Sequence, residues 1–466
     1  MCSGPKTRRK HRPMAFPAMS ERFFPVDEGL LRAVTDWAHG RIVNGPDGRN
    51  GERSFAALEP LLGGSITAEG IGGVEALRRF TDVIAPSTRP FDHPMSLAYV
   101  AAAPTPAAVT FDMAVSAAEI FAGNWAGGSG AIHVENQALR WLSDLAGFPT
   151  GAGGTFVSGG TVGNLSALHA ARAKARARDP SVSQWKLAAT MDAHSSIRAA
   201  ANVMDVEILT IASDHHGRMA GEAFRQAVAG ENVFAVVATA GTTNAGMIDD
   251  LDGIATVCRQ QDIWMHVDGA YGLAALAAPS VRAAFDGIER ADSFVVDPHK
   301  WLFAPYDCCA LVYREPQYAA AAHAQFAAYL DMIDRNEWNP SDFAIHLSRR
   351  ARGLPFWFSL ATYGTAKYTA AIEQVLRTTR VIAAGIEASD HLELLMAPDL
   401  SVILFRVRGM SIDAMKSWSE VHRRNGNLLC IPTKWHGTDV FRLCLVNPDT
   451  QAAQVLAVLE TLRRMV

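Results

Sequence analysis

The chain has 466 residues, 49% of them hydrophobic, with 43 Lys and Arg against 47 Asp and Glu for a formal net charge of −4. That length suits one large domain with smaller companions, charges interrupt every apolar stretch short of the roughly 18 residues a membrane span needs, and no excess of positive charge is available to hold nucleic acid. Six cysteines without a C-x-x-C spacing exclude a disulfide framework and point to reduced thiols in a cytoplasmic protein.

In chain order, the basic start from Lys6 to Arg12 is followed by no apolar run, so residues 1–22 read as a flexible leader rather than a signal, with Met14 or Met19 as alternative starts. Residues 23–85 read as helices and loops, and a Pro-punctuated connection opens a large domain over 86–320. Inside it, β-rich runs alternate with helical patterns. The runs are Thr155–Ser158, Leu187–Met191, Glu207–Ile211, Val233–Ala238, Ile263–Val267, Ser293–Val296 and Ala310–Tyr313, an alternation that predicts a mostly parallel sheet covered by helices. Residues 321–358 are weakly patterned and read as a mobile loop and connection. A small α+β domain follows over 359–466, with helix Leu360–Ser389, strands Val402–Val407 and Phe441–Val446, and helix Thr450–Val466.

Polar and small residues concentrate where the strands of the central block end, which is where ligands of such sheets gather. The first strand runs into Ser158-Gly159-Gly160-Thr161-Val162-Gly163-Asn164 and a helix from Leu165 to Ala177. Glycines there let a backbone approach an anion, and the helix start offers unpaired N–H groups; the spacing fits neither a dinucleotide fingerprint nor a P-loop. Asp192-Ala193-His194-Ser195-Ser196 and Thr239-Ala240-Gly241-Thr242-Thr243-Asn244 end two further strands, and an imidazole at His194 can stack on a heteroaromatic ring and move a proton. Next comes Asp268-Gly269-Ala270-Tyr271-Gly272. A carboxylate there can keep a pyridine nitrogen protonated, with small neighbours that let a flat ring lie close, although an Asp after a strand equally serves as a helix cap. Finally, Asp297-Pro298-His299-Lys300-Trp301 sets a lysine in a tight turn. An amine that forms an imine needs a lowered pKa, which desolvation beside cationic groups supplies.

Taken together, the glycine turn, the strand-end His194, Gly241-Thr242-Thr243, His266-Val267-Asp268-Gly269-Ala270-Tyr271 and Pro298-His299-Lys300-Trp301 follow the order and spacing of the pyridoxal-dependent (group II) decarboxylases, which the chain resembles from His93 to Pro448. The resemblance implies the fold-type I PLP fold, with a mostly parallel central sheet, an N-terminal helical arm, a small C-terminal α+β domain and active sites at a homodimer interface. It implies pyridoxal 5′-phosphate (PLP) as a Schiff base on Lys300, Asp268 as partner of the pyridine nitrogen, and His194 stacked on the ring and helping in catalysis. Ala270 would touch the opposite ring face, Thr243 would sit near ring and substrate, and Gly160, Thr161 and His299 would hold the phosphate. An acid is an awkward phosphate ligand, so Asp297 is expected to bond a neighbour instead. No metal is expected.

Two departures from the family bear on the reaction. The loop from Asp331 to Leu347 lacks the tyrosine that relatives use to protonate Cα, and Phe343 stands nearby. The segment Gly128–Glu135, expected to line the substrate pocket, carries Ile132 and His133. The leading expectation is decarboxylation of an L-amino acid, aromatic or bulky because Tyr99, Phe121 and Trp125 fall in segments that feed the pocket. Aldehyde synthesis, or transamination with Arg352 or Arg442 anchoring a carboxylate, stands beside it. A metal site built on His266, Asp268 and His299, or a protein without turnover, forms a third possibility.

Overall fold

The computed structural model describes residues 22–325 and 336–465. Seven strands make the larger sheet: β1 (Gly153–Val157), β2 (Lys186–Thr190), β3 (Glu207–Ile211), β4 (Val233–Thr239), β5 (Trp264–Asp268), β6 (Ser293–Val296) and β7 (Cys309–Tyr313). β1, β4, β5, β6 and β7 are buried along their whole length, as strands covered on both faces must be, and this is why they read as nearly continuous apolar runs. β3 lies at the edge and is only partly buried.

The strand order is β1-β7-β6-β5-β4-β2-β3. β2, β3, β4, β5 and β6 pair in parallel, whereas β7 runs antiparallel to both β6 and β1. Two reversals restore direction, so β1 points the same way as β6 and its carboxyl end joins those of the parallel strands on one edge. Successive side chains pack into different cores: Phe294 and Val296 enter one cluster, Val295 the other. Each fully buried phenylalanine contributes about 1.5–3 kcal/mol by leaving water.

Beyond β7 the chain builds a four-stranded antiparallel sheet, ordered β10-β11-β9-β8, from β8 (Leu392–Leu394), β9 (Val402–Val407), β10 (Ile431–Trp435) and β11 (Thr438–Cys444). The expected helix Leu360–Ser389 is two helices, Leu354–Tyr363 and Thr365–Glu387. Gly364 parts them at φ 76°, a left-handed conformation that a continuous helix cannot contain. The expected strand Phe441–Val446 begins earlier, at Thr438.

The described residues form two compact units, one of 22–45 with Glu52–Thr88, the other of Pro46–Gly51 with 89–325 and 336–465. In the first, helices Glu28–Asn44 and Phe55–Leu62 are capped by Asp27 and Ser54, and neither they nor helix Gly73–Arg79 buries a residue. Among the described residues no helix is long and apolar enough to cross a membrane.

Candidate active site

Five strand ends of the larger sheet meet around a cavity of about 210 Å³. β1 delivers Gly160 and Thr161, β2 delivers His194, β4 delivers Thr243, β5 delivers Asp268 and Ala270, and β6 delivers His299 and Lys300; all eight line it. Residues separated by as many as 140 positions are thus gathered by a single sheet edge.

At Gly160 the backbone turns into helix Gly160–Arg178 with no side chain capping the start, which leaves a bare helix N-terminus in the cavity wall. A Cβ on Gly160 would lie 3.2 Å from the Ala270 Cβ and 3.4 Å from an Asp297 oxygen. The glycine therefore keeps open a narrow cradle beside N–H donors, a fit for a small flat molecule carrying an anionic arm. Asp268 is buried; its Oδ2 accepts from Asn164 Nδ2 at 2.9 Å and its Oδ1 from the Ala270 N–H at 3.1 Å. A carboxylate fixed in this way can hold a proton on a ring nitrogen.

Lys300 departs from expectation. Its Nζ lies 2.9 Å from Asp297 Oδ2, one helical turn away in sequence. Burial, the largest influence, pushes the amine's pKa down, but the charge and hydrogen bond of Asp297 and the charge of Asp268 together outweigh it and the net shift is upward. Asp297 in turn is pushed up by burial, yet the positive groups of Lys300 and His299 hold it below the usual carboxylate range. Asp297 accordingly bonds its neighbour, as an acid beside an anion cradle should. Sequence reasoning expected a lowered lysine because the i, i+3 contact inside the Asp-Pro-His-Lys turn was not considered.

Other expectations need correcting. Ile132 is fully buried in a cluster with Ala131, Ala351 and Leu354, and Glu135 is committed to the buried guanidinium of Arg349 and the Gly353 N–H, so neither lines the cavity. Phe343 is 7% exposed and stacks on Trp338 at 4.3 Å. Both ring nitrogens of His266 are engaged, Nδ1 with Ser293 Oγ at 2.8 Å and Nε2 with Asn164 Oδ1 at 2.9 Å, which leaves none for a metal. Residues 331–335 of the tyrosine-free loop lie outside the described residues. Asn164 and Tyr271 also line the cavity without having been singled out. For Asn164 the signal was present, since a polar amide four residues into a glycine-led helix start faces the same side as the turn itself.

Comparison with known proteins agrees with this geometry. The model of the pyridoxal-dependent decarboxylase conserved domain matches residues 75–408. The chain is 30% identical over 392 residues to the aromatic-L-amino-acid decarboxylase of Bacillus atrophaeus, covering 80% of this chain and 81% of that protein. It is 32% identical over 387 residues to the L-2,4-diaminobutyrate decarboxylase of Rhizobium meliloti (strain 1021), covering 79% and 77%. Among solved structures, Oryza sativa TDC with PLP and tryptamine superposes with a TM-score of 0.88 at 22% identity over 95% of this chain and 99% of that one, a likeness of fold-type I architecture. A family match spanning most of the chain, laid over a cavity with an anion cradle, a buried carboxylate and a lysine, makes this chain a member of the pyridoxal-dependent decarboxylase family, a PLP-dependent carboxy-lyase.

Proposed function

We propose that this carboxy-lyase converts a bulky, aromatic L-amino acid to its amine and carbon dioxide, with PLP linked to Lys300. The observation that carries the reading is the meeting of Lys300, Asp268 and His194 in one cavity that also contains a bare helix start. Bound PLP supplies a sink for the electron pair released when the bond from Cα to the carboxylate breaks. With PLP bound, Asp268 would hold the proton on the pyridine nitrogen, Gly160 and Thr161 with His299 would hold the phosphate, and His194 and Ala270 would bound the ring.

Arg442 supports a role in aiming the carboxylate. It is buried, its Nε donates to the Thr243 carbonyl at 2.9 Å and its Nη1 to the Tyr99 carbonyl, and its Nη2 is buried without a partner. Thr243 lines the cavity and Arg442 lies behind it, so this spare buried donor would serve a carboxylate that reaches past the Thr243 turn. The same arginine draws half-exposed Tyr99 toward the Thr243 turn, where Tyr99 can offer an aromatic face to a substrate side chain. Aldehyde formation through a Phe343 substitution is disfavoured, because that ring is spent in the core against Trp338.

A homodimer and a cytoplasmic location belong to the same reading. Phe23, Phe24, Phe55 and Val74 of the first unit are all more than three-quarters exposed, apolar area that a second copy would cover. The five described cysteines are free and buried, as suits a reducing compartment. A panel of L-amino acids assayed for carbon dioxide release, with the organic product identified, tests the substrate: aromatic substrates should lead and yield amine. Release from 2,4-diaminobutyrate alone, or aldehyde as the main product, would contradict it.

A further inference from the structure

Behind Asp268 runs a chain of hydrogen bonds whose proton positions are fixed from the carboxylate end. Trp264 Nε1, which can only donate, meets Ser293 Oγ at 2.9 Å, and the serine, with one hydrogen and two acceptor lone pairs, also meets His266 Nδ1 at 2.8 Å. From the other end, Asp268 Oδ2 can only accept, so the amide of Asn164 turns its NH₂ toward it and its Oδ1 toward His266 Nε2. The neutral His266 ring therefore carries its proton on Nε2 and takes the Ser293 hydrogen at Nδ1. The same NH₂ donates to Ser196 Oγ at 2.9 Å, and the Ser196 hydroxyl then has His194 Nδ1 at 2.8 Å to receive its hydrogen. His194 Nδ1 also accepts the Ser196 backbone N–H at 3.2 Å, capping helix Ser195–Met204. A proton on that nitrogen would face the Ser196 backbone N–H, which can only donate.

We propose that Asn164 is a positioning residue that joins the carboxylate of Asp268 to the ring of His194, and that the neutral His194 ring carries its proton on Nε2. Nε2 meets no hydrogen-bond partner among the described residues, and His194 lines the cavity. His194 thus offers the cavity a donor and not a base. The Asn164 NH₂ gives one hydrogen to Asp268 and the other to the Ser196 hydroxyl, whose own hydrogen goes to His194, so a single amide couples the carboxylate to the ring. This deepens the proposed function and rests on it for the donor's use; the proton positions rest on geometry alone.

Histidine labelled with ¹⁵N in the holoenzyme reads the proton positions directly, with His194→Gln assigning the His194 signals. Both His194 and His266 should appear as the Nε2–H form. Ser196→Ala removes the hydroxyl link while keeping the backbone cap; it should move the bare Nδ1 resonance of His194 and lower kcat about 3- to 10-fold with KM kept, the worth of one hydrogen bond used in the transition state. Asn164→Leu should move the same resonance from two bonds further away, and Ser196→Ala serves if that variant does not fold. A proton on Nδ1 of either histidine, or a His194 resonance unmoved by Ser196→Ala, overturns the proposal. Failure of the cofactor reading would show instead as absent PLP linkage, with the histidine signals unchanged.

Discussion

The central sheet and the N-terminal unit use apolar residues in opposite ways. In the sheet, Phe156 and Phe294 are fully buried between strands and helices of the same chain, whereas Phe55 of the N-terminal unit is 79% exposed. Helices Glu28–Asn44 and Phe55–Leu62 of that unit start from side-chain caps, yet neither buries a residue. Local propensity and capping are enough to shape a helix, but burial decides whether it is stable alone. One region buries its apolar side chains within its own chain; the other leaves Phe23, Phe24, Phe55 and Val74 exposed, the area the proposed second copy would cover.

Breaking the sheet should have the largest effect. Phe294→Asp places an unpaired carboxylate in the core at a cost of several kcal/mol, set against a total stability of about 5–15 kcal/mol, and should abolish soluble, cooperatively folding protein. Circular dichroism and thermal unfolding check this. Next in size, Asp268→Asn leaves the fold intact but removes the charge that protonates the pyridine nitrogen, and carbon dioxide release should fall about 100-fold or more. A wild-type rate would remove Asp268 from that role. Phe55→Asp should be milder in the folded protein itself: secondary structure stays, and, if the proposed dimer forms through this face, light scattering should show it giving way to monomer. An unchanged dimer would mean that the exposed face of the N-terminal unit is not the interface.

The smallest effect sharpens the account of Lys300. Because Asp297 raises the amine, Asp297→Asn takes away a stabilising negative charge and lets the proton leave at lower pH. The midpoint for PLP attachment should move toward acid by about 1 pH unit or more, as loss of an adjacent opposite charge implies. Absorbance-monitored reconstitution across pH measures it, and a midpoint that stays in place or moves toward alkali counts against the pairing.

The same contrast explains what was legible in the sequence. β4 and β6 stand out because both faces are buried and the runs are apolar without interruption. β10 does not, since Ile431-Pro432-Thr433-Lys434-Trp435 is an edge strand in which a proline is tolerated and polar side chains face outward. Helix Ile412–Arg424 carries a narrow apolar stripe, with Met415 and Trp418 buried in a mostly polar segment, and does not stand out in the sequence. In the site, the strand-end residues could be picked out one by one because each sits in a short motif. The link through Asn164 could not, because its partners Ser196, His266 and Asp268 lie 32, 102 and 104 positions away and meet only when β2 and β5 are laid side by side with β4 between them.

The central claim is that this sheet edge builds one cofactor site around one lysine. Reducing the yellow holoenzyme with borohydride and mapping the phosphopyridoxyl group by mass spectrometry tests it most directly. The adduct should fall on Lys300 and disappear in Lys300→Ala together with turnover; an adduct on Lys186 or Lys367, or turnover retained in Lys300→Ala, would contradict the account.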